Sequence, residues 1–189
     1  MARPRSEEKR RAILDAATRV FAERGIENAP TSVISKAAGI AEGSLFTYFK
    51  SKDELMSELY LELRMEFSRH LPDLPRKKNA RTRLKYIWDM YLKVGAEHPE
   101  WLRVLAQLRA SGKLFKENEA PAPAFVEVLK ATRETVLGNA LGKAPPDYLV
   151  LMMRAQAEIT IAYINAHPER AAACQKLGFR MLWKGLTGK

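Results

Sequence analysis

The stretch Ile34-Ser35-Lys36-Ala37-Ala38-Gly39-Ile40-Ala41-Glu42-Gly43-Ser44-Leu45-Phe46-Thr47-Tyr48-Phe49 constrains the fold of this chain more than any other. It reads as two short helices joined by a tight turn that contains glycine, a helix-turn-helix layout. Gly39 is free to take φ > 0, so the chain can reverse sharply there. Ala37 and Ala38 are small enough to let the two helices approach closely. Ile34, Ile40, Leu45 and Phe49 supply the apolar faces. The second helix then presents Glu42, Ser44, Thr47 and Tyr48. Its hydroxyls suit hydrogen bonds to phosphates and to base edges in a DNA major groove.

The remaining chain also carries helical period, and no segment shows a convincing strand alternation. A first helix is expected from Ser6 to Arg24, with Ser6 as its cap and Glu7 and Glu8 where the helix dipole favours negative charge. Ile13, Ala17, Val20 and Phe21 recur at i, i+4, i+7 and i+8, one apolar stripe. Gly25 fits the position just past the last turn. The second helix is expected from Pro30 to Ala38, with Pro30 in its first turn and Asn28 or Ala29 as cap. The third runs from Glu42 to Phe49. Ser51 and Glu54 have capping-box spacing and open a fourth helix that ends near His70. Pro72, Pro75 and Arg76-Lys77-Lys78 mark a joint. Amphipathic helices follow near 80–97, 99–111, 121–141, 146–166 and 168–186, two of them opened by Pro99 and Pro168. A polar loop spans Gly112 to Pro123. The expected fold is all-α.

Bulk properties bound the function. The 189 residues are 47% hydrophobic and 29% charged, a globular composition with enough apolar matter for a core. No apolar run is long enough for a membrane helix, and no signal-peptide core follows the basic first residues. Cys174 is the only cysteine, which excludes an intramolecular disulfide and suits a reduced cytosol; a small buried residue is its expected role. The net charge of +10 favours a polyanionic partner. That excess is not gathered at the helix-turn-helix: residues 1–55 hold 10 basic and 8 acidic residues, residues 101–189 hold 13 and 7. The motif, not the charge, carries the DNA reading.

Residues Ala38 to Leu55, with Gly39, Gly43, Leu45, Phe49, Lys52 and Leu55 in fixed register, resemble the signature of the tetracycline-repressor-like (TetR) family of regulators. The resemblance covers roughly residues 8–56. It implies that Glu42 to Tyr48 is the recognition helix and that Gly43 lets the backbone approach DNA. It implies phosphate or base contacts from Ser44 and Thr47, phosphate contacts from Tyr48 and Lys52, and backbone contacts from Ser32 and Lys36. Three departures stand out. Phe46 takes the place of a common Tyr and lacks its phosphate-binding hydroxyl, so that contact is not carried over and core packing is its expected role. Ser35 replaces a usual Ala, and Ala29-Pro30-Thr31 replaces a Thr-rich helix start. Glu42 is either a partner of the helix dipole or an acceptor for a cytosine amine.

One such motif reads one half-site, so two copies and a palindromic operator on double-stranded DNA are expected. Tyr148, Met152, Ala155, Ile159 and Ala162 form a heptad-spaced seam. Cys174, Leu177, Gly178, Met181 and Leu182 offer a comparable face. Together they build a homodimer bundle, or else pack within the monomer. Trp88, Tyr91, Trp101, Leu105, Phe125, Met153, Gln156 and Tyr163 are candidates to line a pocket for a small-molecule effector, against the alternative that they are core. His98 and His167 lie beside prolines without ligand-spaced partners, so no metal site is expected, nor any cofactor. No nucleophile elbow, phosphate loop or dinucleotide-binding glycine pattern is present, and the chain does not read as an enzyme. The expected organisation is an N-terminal three-helix DNA-binding domain at residues 1–55 and a helical ligand-binding and dimerisation domain at residues 56–189. The expected function is a cytoplasmic, sequence-specific repressor released by a ligand. The alternative is a non-specific architectural DNA binder.

Overall fold

A computed structural model describes residues 4–69, 79–113 and 145–187. Among these residues there are eight α-helices and no strand. They are α1 (Pro4–Arg24), α2 (Thr31–Ala37), α3 (Glu42–Tyr48), α4 (Lys52–Arg69), α5 (Ala80–Glu97), α6 (Pro99–Ala110), α7 (Pro146–Ala166) and α8 (Ala171–Thr187). A 3₁₀ turn, Pro168–Arg170, precedes α8. The expected helix near 121–141, the joint around Pro72 and most of the Gly112–Pro123 loop lie outside the described residues.

Several helix ends differ from expectation. Helix α1 begins at Pro4, so Ser6 lies inside it and does not cap it. Pro30 is itself the cap residue of α2, in extended conformation and without a side-chain cap bond, so neither Asn28 nor Ala29 fills that role. The Asn28 amide instead donates back to the Arg24 carbonyl at 3.4 Å. At α4 the expected box forms with a shift. Ser51 Oγ accepts from the Glu54 amide at 3.1 Å, while the Glu54 carboxylate accepts from the Lys50 amide, one residue before the cap. Asn79 caps α5 by accepting from the Thr82 amide at 2.9 Å.

The chain divides into two compact units. The first holds residues up to Glu66 together with the segment from Pro99 to Glu119; the second holds Phe67–His98 and the residues from Ala120 onward. This grouping differs from a cut at 55/56, because α6 joins the helix-turn-helix. In the first unit Ile13, Ala17, Val20 and Phe21 of α1 meet Ile34, Leu45 and Phe49, and Leu55, Leu59 and Leu63 of α4. Val104, Leu105 and Leu108 of α6 complete the same core. Two polar ties fix α6 there: Gln107 Oε1 accepts from the Ile26 amide at 3.1 Å, and Arg103 Nη1 donates to the Ala22 carbonyl at 3.2 Å.

In the second unit α5, α7 and α8 pack together. Trp88 is fully buried, and its indole N–H donates to the Gln175 carbonyl at 3.1 Å. Gln156 Nε2 donates to the Gly178 carbonyl at 2.9 Å, so α7 and α8 are held at the same level. Arg81 lies over the rings of Phe179 and Trp183, at 6.0 and 5.8 Å from their centroids. Cys174 is half-buried rather than buried.

Candidate nucleic-acid interface

Helix α2 ends in a Schellman motif. Gly39 has φ +69°, its amide donates to the Lys36 carbonyl at 3.2 Å, and the Ile40 amide reaches the Ser35 carbonyl at 3.0 Å. The positive φ is what glycine supplies at this turn. Ile40, just past it, packs on the core beside buried Ile34. Ser35 is buried, and its hydroxyl is satisfied by the carbonyl of Thr31 one turn back. A serine is therefore tolerated where an alanine is usual.

Helix α3 follows from Ala41, which offers no side-chain cap. Leu45 and Phe49 are its inward line, both fully buried. Tyr48 is half-buried and packs against the core, a correction to its expected exposure. Gly43, Ser44, Phe46 and Thr47 are exposed. Phe46 is 45% exposed, so the core-packing alternative for it falls. A Cβ built on Gly43 would meet nothing within 4 Å. The fold does not require glycine there, whereas a close backbone approach by another molecule does.

Glu42 is exposed at the first turn of α3, and its Oε1 accepts from Thr31 Oγ1 at 3.0 Å. The carboxylate is thus tied to the start of α2. Neither this tie nor Thr31 as its partner follows from sequence, because the two residues are far from helical spacing. Ser32 and Lys36 lie one turn apart on α2, both exposed, on a common face. Lys52 is only half-exposed. Its ammonium donates to the Ile26 carbonyl at 2.7 Å and lies 6.0 Å from the Phe21 ring centroid. One of its three donors is thus used within the domain. Arg10 pairs with Glu58 and covers the Phe49 ring at 5.7 Å.

The candidate pocket residues are not all in one unit. Trp101 and Leu105 pack on the core of the first unit. Trp88, Tyr91, Met153, Gln156 and Tyr163 belong to the second, and Phe125 lies outside the described residues. Trp88 and Met153 are buried. Tyr91 sits 4.7 Å from the Phe67 ring and donates to Glu158 Oε1 at 3.3 Å. Tyr163 is exposed, meets the His167 ring in a tilted arrangement with centroids 4.5 Å apart and accepts from Arg170 at 3.0 Å. The seam residues Tyr148, Met152 and Ile159 are exposed on α7, with Ala155 between them and Ala162 just beyond. At least half of each of the three larger side chains is exposed. On α8 the expected face divides: Gly178 and Leu182 turn inward, while Leu177 and Met181 stay exposed. Among the described residues no helix is long and apolar enough to cross a membrane, and no three His, Cys, Asp or Glu side chains gather to hold a metal.

Comparison with known proteins agrees with this geometry. Residues 13–59 match the family described as bacterial regulatory proteins, tetR family. The fatty acid metabolism regulator protein of Bacillus subtilis is 34% identical over 76 residues, 40% of this chain and 39% of that protein. The chain thus spans about two-fifths of that relative's length. Solved structures extend the likeness in fold over more than nine-tenths of the chain. A TetR family transcription regulator from Marinobacter aquaeolei superposes with TM-score 0.80 at 23% identity, covering 95% of this chain and 96% of that one. The transcriptional regulator FadR from Bacillus subtilis, solved with stearoyl-CoA, gives 0.63 at 22% identity over 92% and 97%. Residues 13–59 thus carry the helix-turn-helix of the tetR family of bacterial regulatory proteins, and the chain shares the fold of solved TetR regulators.

Proposed function

We propose that this chain is a transcriptional repressor that binds a palindromic operator as a homodimer and is released by a small molecule. The observation that carries the reading is the α2–Gly39–α3 turn with its exposed facet of Gly43, Ser44, Phe46 and Thr47. That facet belongs to a helix anchored in the core by Leu45, and all four of its residues are exposed. Ser44 and Thr47 serve as donors to phosphates and base edges, Gly43 as the point of closest backbone approach, and Ser32, Lys36, Tyr48 and Lys52 as phosphate contacts. Glu42 positions α3 from its tie to Thr31.

Functionally, residues 1–55 are the reading head and residues 56–189 the ligand-binding and dimerisation part. The exposed apolar stripe of Tyr148, Met152 and Ile159, with Leu177 and Met181, is the surface two copies share. A protein of this fold solved with stearoyl-CoA supports a small-molecule effector here. Trp88, Tyr91, Met153 and Gln156 are the second-unit residues from which its site is built. The protein works where its DNA is, in the bacterial cytoplasm.

The test is selection of binding sites from random DNA at stated salt. An inverted repeat with half-sites one helical turn or a multiple apart, roughly 34–36 Å per turn, is the expected outcome. Binding that only weakens with salt and enriches no sequence would sink the reading in favour of an architectural role.

A further inference from the structure

We propose that Phe46 reads the 5-methyl group of a thymine and so fixes one position of the DNA sequence this chain selects. The inference rests on the regulator reading above and carries it to a single base edge.

Phe46 lies one residue round the helix from Leu45, off the inward line that Leu45 and Phe49 define. Its ring is 45% exposed. Among the described residues of the first unit, only Phe46 and Met65 are large apolar side chains left so exposed. An aromatic ring in water forgoes the gain that burial would bring, so its place on the reading helix asks for an apolar partner supplied from outside.

The surroundings of the ring are arranged for such a partner. Gly43, at i−3, has no side chain, and nothing else lies within 4 Å of where its Cβ would be. That flank of the ring is open. Glu42, at i−4, would set a negative charge against the same flank. Its carboxylate instead accepts the Thr31 hydroxyl at 3.0 Å and is held toward the start of α2. Thr47, the next residue on the helix, is exposed as well.

A phenyl ring has no donor or acceptor, so it cannot read guanine, adenine or cytosine by hydrogen bonding. Thymine alone displays an apolar group in the major groove, its 5-methyl. Phe46 therefore distinguishes thymine from cytosine at a pyrimidine position through contact with that methyl. The chemistry is set by the missing hydroxyl: a tyrosine at this position could spend its O–H on a phosphate.

The experiment uses the full-length protein and its selected site. Each thymine of the half-site is replaced in turn by deoxyuridine, which removes only the 5-methyl, and binding is measured for wild type and Phe46→Ala. One thymine per half-site should respond, with wild-type binding weakened about fourfold, the yield of one buried methyl. Phe46→Ala should bind the thymine and deoxyuridine sites equally. No responding thymine, or a response that Phe46→Ala leaves intact, overturns the inference while sequence-selective binding stands. A wild-type protein that selects no sequence overturns the regulator reading itself, so the two failures are distinct. The deoxyuridine scan on wild type alone is decisive when no position responds, whatever the stability of the variant.

Discussion

At Gly178 an added Cβ would lie 2.6 Å from Trp88 Cζ2 and 3.1 Å from Thr160 Oγ1. The Trp88 ring cannot swing away, because it is fully buried and its N–H is held by the Gln175 carbonyl. Gly178→Ala should therefore cost about 1–3 kcal/mol of stability by overpacking, read as a lower Tm in a thermal melt. Gly43→Ala is the opposite case. Its Cβ meets nothing, and alanine is the better helix former by about 1 kcal/mol or less. The Tm should hold or rise while affinity for the selected site falls by at least about tenfold, ~1.4 kcal/mol. A variant that loses stability would show that the glycine serves the fold rather than DNA. Lys52 should behave in a third way. Lys52→Met removes both an anion contact and the bond to the Ile26 carbonyl. It should lower Tm, by roughly 1–2 kcal/mol of stability, as well as weaken binding; a pure phosphate contact would leave the melt unmoved.

At the scale of elements, helix identity was legible where the apolar period was long and the punctuation chemical. The expected 80–97 and 146–166 match α5 and α7, each closed by a histidine before a proline or a 3₁₀ turn. Helix ends set by backbone conformation were less legible. Pro30 takes the cap position in extended form, and nothing in its side chain announces that. The turn of the site was legible because Gly39 and its flanking apolar residues are local. Phe46 was legible only in part: the inward line of Leu45 and Phe49 leaves it off-axis, but its exposure depends on what packs beside it. The Thr31–Glu42 tie and the place of α6 were not legible, since both join residues distant in sequence. The placement of α6 has a consequence for dissection. A fragment of residues 1–66 lacks Val104, Leu105 and Leu108, three fully or nearly buried side chains of its core. At ~1.5–3 kcal/mol for each buried aliphatic side chain, their loss approaches the whole stability of a small domain. The fragment should show no cooperative melt by circular dichroism. A sharp transition would mean that the helix-turn-helix folds without α6.

The whole molecule leaves an apolar stripe exposed on α7 and α8. Ile159 is 71% exposed and Met181 60%, values at which an isolated aliphatic side chain contributes nothing to the core. Tyr148, Met152 and Ile159 recur at heptad spacing along α7, and the small Ala155 and Ala162 on the same seam permit a second helix to come close. A two-fold interface uses the same patch on both copies, so one substitution alters it twice. Ile159→Glu should convert a dimer to monomers at micromolar concentration in sedimentation. Because the residue is exposed in the monomer, the far-ultraviolet circular dichroism should not change. The melt should lose whatever concentration dependence association gave it. Each head alone retains its half-site contacts. What disappears is the effective concentration that one bound head provides for the other, so affinity for the inverted repeat should fall by about a hundredfold or more. Ala106→Glu, at an exposed position of α6 in the first unit, should leave the dimer intact. If Ile159→Glu remains dimeric and binds the repeat as wild type does, the two heads are coupled through some other surface and the stripe serves a different partner.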